Sequence, residues 1–179
     1  MGFMVRRMNL LTWGRDTVRL WLDRRRFYAF EEEWCIDAPL AAVWKGMVHV
    51  EGWPDWWEGL LLADSQDTLP AGMAGKCYRT CWKGALPYRL NVDARIRDVC
   101  QETFILADID GDIEGVCACR IEESSWGTRI FFSLHVRTNR FWMSVFSLFF
   151  KGYLSENHQR IMARGTRGFM RCLAKGAAI

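Results

Sequence analysis

From Phe27 to Ile36 the side chains alternate. Phe30, Glu32, Trp34 and Ile36 fall on one face, and Glu31, Glu33 and Cys35 on the other. A period of two marks a β-strand. Asp37-Ala38-Pro39 predicts a helix start, because an Asp oxygen accepts an early helical N–H and Pro suits a first turn. Leu40, Val43, Trp44 and Met47 supply its apolar stripe, and Gly52 ends it. Pro54-Asp55-Trp56-Trp57-Glu58 predicts a second short helix.

Strand signals then recur between turn residues. Leu60 to Gln66 is closed by Leu69-Pro70-Ala71-Gly72, and Gly75 to Lys83 sets Tyr78, Thr80 and Trp82 against Cys77, Arg79 and Cys81. In Tyr88 to Arg97 the series Tyr88, Leu90, Val92, Ala94, Ile96 alternates with polar residues without a break, which predicts a sheet covered on one face. Thr103 to Ile109, Ile113 to Glu122 and Thr128 to Arg137 complete seven strands, six of them in one meander. The last strand turns Ile130, Phe132, Leu134 and Val136 inward and His135 outward. A long helix from Asn139 to Lys175 carries Trp142, Val145, Phe146, Phe149, Tyr153, Ile161 and Phe169 along one stripe. Gly152, Gly165 and Gly168 weaken it intrinsically and predict a bend or a close approach to the sheet.

Ten Trp and eleven Phe in 179 residues demand a large core or an apolar cavity. Charge divides the chain at residue 26. Residues 1–26 hold seven Arg against two Asp, so the remainder carries a net −2 out of the total +3. The body therefore lacks the basic face of a nucleic-acid binder. Residues 1–26 read as a basic arm in which Val18, Trp21, Leu22 and Arg25 fit a helix face, with peripheral contact to an anionic membrane as one outcome and docking on the body as the other. Seven Cys cannot all pair, and no secretory signal is evident, so reduced thiols in the cytoplasm are expected. Cys77/Cys81 and Cys117/Cys119 fall on opposite faces of separated strands, which argues against a zinc site.

Several strings in this order resemble one family: Ala38-Pro39-Leu40-Ala41-Ala42-Val43-Trp44, Trp53-Pro54-Asp55-Trp56-Trp57, Lys83-Gly84-Ala85-Leu86-Pro87-Tyr88, Gly111-Asp112-Ile113-Glu114-Gly115, Gly127-Thr128-Arg129 and Asn157-His158. Together they resemble the SRPBCC (START/Bet v 1-like) superfamily, and within it the polyketide cyclase/dehydrase-like group. The resemblance covers residues 27–175 of a domain spanning 27–179. It implies an α+β helix-grip fold, in which a seven-stranded curved antiparallel sheet with two short helices after its first strand wraps a long C-terminal helix. It also implies a cavity for an apolar small molecule or lipid, or alternatively an aromatase/cyclase or dehydrase working by acid/base chemistry there. No metal or other cofactor is implied.

Strand parity places Trp34, Tyr78, Trp82, Tyr88, Phe104 and Phe132 on the inner face. With Trp57, Trp142, Phe146 and Asn157 they are the candidate ligand contacts, Phe104 excepted. Glu32 and Asp108 are the inward carboxylates by the same parity, although Ile105, Ala107 and Ile109 leave the facing of the Asp108 strand open. Both can serve as acid or base if burial raises their pKa. His158 beside Asn157 is the third candidate for proton transfer. Each also has a purely structural reading, as an ion pair or a helix-to-sheet contact.

Overall fold

In the computed structural model, residues 27–84, 88–139 and 141–176 are described, with side chains of the last helix from position 155 onward. The basic arm, and the side chains of Trp142, Phe146 and Phe149, lie outside the described residues.

The strands are β1 (Phe27–Ile36), β2 (Leu60–Ser65), β3 (Cys77–Trp82), β4 (Leu90–Cys100), β5 (Phe104–Gly111), β6 (Ile113–Ser124) and β7 (Gly127–Thr138). They form one antiparallel sheet in the order β1-β7-β6-β5-β4-β3-β2. Five hairpins build the run from β2 to β7, and β1 closes it by pairing with β7. Gly111 and Gly127 turn with φ of 115° and 148°, conformations that disfavour an L side chain. Register slips between Leu60 and Leu62 and between Ile96 and Asp98 mark bulges. Bulges bend strands and increase their twist, so both assist the curl of the sheet.

Two helical pieces follow β1: α1 (Leu40–Val48) and a short 3-10 helix (Val50–Asp55). Asp37 does not cap α1. Pro39 holds the cap position with no side-chain bond, while the Ala38 carbonyl accepts a hydrogen bond from Thr128 Oγ1 at 2.8 Å. The second helix lies four residues ahead of its expected position. Pro54 sits inside it, and the chain leaves it at Trp56 so that Trp56 and Trp57 turn into the core. The long helix is α2 (Phe141–Ala174). Among the described residues no helix is long and apolar enough to cross a membrane.

A solid core fills one end of the curled sheet. Trp34, Ile36, Ile130 and Ile121 meet Val43 and Met47 of α1, Trp56 and Trp57, and Phe169 of α2. Glycine sets how closely α2 approaches. A Cβ on Gly165 would overlap the Trp57 ring, and one on Gly168 would overlap the Trp56 carbonyl oxygen. The two glycines therefore mark a close approach, to the Trp56–Trp57 segment rather than to the sheet.

The convex face is polar. Arg129 pairs with Glu33, Arg137 with Glu114, Arg120 with Glu122, Arg97 with Asp108 and Arg79 with Asp93. Each pair is exposed and contributes at most about 1 kcal/mol. Together they keep that face of every middle strand wet.

Candidate functional site

β1 divides the interior. Its outer half, Trp34 and Ile36, belongs to the core, whereas Tyr28, Phe30 and Glu32 line a hollow between the sheet and α2. The hollow has a volume of about 320 Å³, at the low end of ordinary ligand pockets. Successive inward positions of β4, β5 and β7 form its aliphatic wall, among them Val92, Ile96, Ile105, Ile109 and Val136. Tyr78, Trp82, Tyr88, Trp53, Trp57 and Phe132 add rings.

Most polar groups in this wall are already bonded within the protein. Thr80 Oγ1 donates to the Val92 carbonyl at 2.9 Å and accepts from Trp82 Nε1 at 3.0 Å. Trp57 Nε1 donates to the Ile161 carbonyl of α2 at 3.0 Å. Burial pushes the Tyr78 and Tyr88 phenols up to about 12, so both stay neutral hydroxyls. Cys117 is pushed up to about 11 and Cys119 is raised too by burial, so both remain thiols.

The exception is a pair. Glu32 Oε1 stands 3.7 Å from His158 Nδ1, beyond hydrogen-bond length. The imidazole is stacked on Phe30 with ring centres 4.0 Å apart, and its Nδ1 is sealed from water with no hydrogen-bond partner. Asn157, one residue earlier on α2, packs its amide against Gly84. A carboxylate and an imidazole thus occupy a cavity whose remaining described lining carries no ionised side chain at neutral pH.

The same architecture occurs in solved structures of low sequence identity. The Zhui aromatase/cyclase from Streptomyces sp. R1128 superposes with a TM-score of 0.65 at 12% identity, over 86% of this chain and 99% of its own. A protein from Thermus thermophilus does so with a TM-score of 0.65 at 13% identity, over 85% and 99%. Ara h 8.0201 gives 0.56 at 15% identity, over 81% and 99%. The fold is the helix-grip α+β fold that these structures share. No family model and no curated protein matches the sequence.

Within this helix-grip fold, Trp57, Tyr78, Trp82, Tyr88, Phe132, Asn157, Glu32 and His158 all line the hollow. Trp34 does not. It is 2% exposed and packs on Trp57, Phe132 and Phe169 in the solid end. Asp108 is a clear correction: it points outward and pairs with Arg97. Phe104 shares that outward parity, because Ile105, Ala107 and Ile109 take the inner face of β5. An inward Asp108 would be a buried charge without a partner, whereas outside a guanidinium stands across from it. Weighing the two carboxylates of Asp108 and Asp110 above the ring of Phe104 would have oriented the strand correctly. Cys117 and Cys119 line the cavity, while Cys81 is buried outside it. Tyr28, Trp53 and Met162 also line it and escape the sequence reading, although the inward parity of β1 already marks Tyr28.

Burial lowers His158 to about 4 from its usual 6.5. In the unfolded chain the ring takes up its proton near 6.5, so the native state loses stability as pH falls from about 6.5 toward about 4. Burial raises the pKa of Glu32, which acts with the opposite sign, since acid relieves the cost of its buried charge. The imidazole is the more enclosed of the two, with its side chain 18% exposed against 26%, so its effect dominates. The full window is worth up to about 3 kcal/mol. His158→Gln is expected to flatten the acid limb of melting temperature against pH between 7 and 4. An unchanged limb would remove His158 as its cause.

Proposed function

We propose that the protein binds a hydrophobic small molecule or a lipid-like chain inside the hollow between the sheet and α2. The carrying observation is the cavity of about 320 Å³ lined by aliphatic and aromatic side chains. Protein interiors are normally packed without voids of this size, and the wall's polar groups are mostly bonded to one another, which suits an apolar guest.

Ala107 on β5 lines the hollow and is paired with Ile96. Ala107→Phe drives a ring into that space. It is expected to weaken binding of the neutral fluorescent probe N-phenyl-1-naphthylamine by about tenfold or more, since the loss of apolar burial alone is worth about 1.5–3 kcal/mol. Circular dichroism should report an unchanged fold. A wild-type chain that leaves the probe dark, or a variant that binds it equally well, removes the reading.

One observation favours a second reading, that of a cyclase- or dehydrase-type enzyme. Glu32 and His158 lie 3.7 Å apart in an apolar chamber, where a carboxylate and a neutral imidazole can act as base and proton relay.

A further inference from the structure

Glu32 is the one carboxylate among the described lining residues, and that lining includes no Lys or Arg. The arginines of the sheet strands that surround it, such as Arg129, Arg137 and Arg120, are committed to carboxylates on the convex face. His158 is the nearest basic group to Glu32 that the structure describes, at 3.7 Å. It is no counter-charge, because burial holds the ring neutral above about pH 4. A carboxylate taken into an apolar chamber without a cation is costly, and the cost is recovered when a cation arrives.

The chamber is also suited to a cation by its rings. Phe30 precedes Glu32 by two positions on the same face of β1, and Phe132 is its cross-strand partner on β7. Trp53, Trp57, Trp82 and Tyr88 complete an aromatic wall. Aromatic faces carry negative potential and attract ammonium groups, more strongly where water is excluded.

We infer that the cavity takes an organic cation, an apolar skeleton bearing one ammonium group that pairs with Glu32 inside the aromatic wall, and that it disfavours carboxylates. The inference rests on the ligand-binding reading above and names its ligand class. An ammonium satisfies the carboxylate by charge and by hydrogen bonding at once. A fatty acid or aromatic acid placed at the same end would set two like charges together.

The test is a matched series displacing N-phenyl-1-naphthylamine from the full chain: 1-naphthylmethylammonium, 1-naphthalenemethanol and 1-naphthoate. The ammonium is expected to bind about tenfold more tightly than the alcohol, and the naphthoate most weakly. Glu32→Gln keeps the shape, removes the charge and is expected to bring the three within about threefold of one another. An alcohol that matches or exceeds the ammonium in the wild type overturns the inference and leaves the cavity reading intact. So does a preference that survives Glu32→Gln. If the neutral probe itself fails to bind, the cavity reading falls and this inference with it. The wild-type series decides without any variant, and Glu32→Asp, which retains the charge, is expected to retain the ranking.

Discussion

Trp57→Ala is expected to destabilise the protein by about 3–5 kcal/mol, the usual range for deleting a buried aromatic ring. Trp57 is 3% exposed and touches four other indoles, Trp34, Trp53, Trp56 and Trp82, with ring centres 5.1–5.4 Å apart. Its N–H also reaches the Ile161 carbonyl, tying the segment after the 3-10 helix to α2. The indoles around it are held by the same cluster and cannot collapse into the space without breaking their own contacts, so the void persists. Urea denaturation measures the effect. A loss below about 1.5 kcal/mol would mean that the cluster relaxes freely and is not the rigid end of the fold. Trp57→Phe separates the two contributions, since it keeps most of the ring and removes the bond to Ile161.

Gly168→Ala carries the second large effect, and its sign is the informative part. Inside an exposed helix this change stabilises by about 1 kcal/mol. Here the added methyl would overlap the Trp56 carbonyl oxygen, a backbone atom that cannot rotate away. Either α2 lifts from the core, exposing Phe169, which is 0% exposed, or the Trp56 segment shifts and takes Trp57 with it. Overpacking against backbone is expected to cost about 3 kcal/mol. Equilibrium denaturation of the single variant decides it, and a gain in stability would show that the close approach of α2 is dispensable. The same displacement moves His158 and Asn157, which ride on α2, so ligand affinity should fall alongside stability.

Where the alternation of the chain is unbroken, the strand faces read directly from it. β7 shows this: Ile130, Phe132, Leu134 and Val136 turn inward and His135 outward, where it stands 3.2 Å from Glu31. β5 defeats the same method. Both of its faces hold large apolar residues, Phe104 and Leu106 against Ile105 and Ile109, so hydrophobicity alone is nearly symmetric. The asymmetry comes from Arg97 on the neighbouring strand, which gives Asp108 a partner outside. Trp34 shows the complementary limit. Its inward parity is right, but parity cannot tell a residue in the packed end from one facing the hollow.

Local periodicity and turn chemistry were enough to assign the inward and outward faces of most strands and the order of the elements, and the resemblance of the motifs in that order added the helix-grip arrangement. They could not reveal that the interior is half solid and half hollow, or that Glu32 and His158, on β1 and α2, share the hollow half. That division depends on how near α2 comes to the Trp56–Trp57 segment at Gly165 and Gly168. The distance is set by contacts between residues more than a hundred positions apart in the chain, such as Trp57 and Ile161, and no period within one element encodes it.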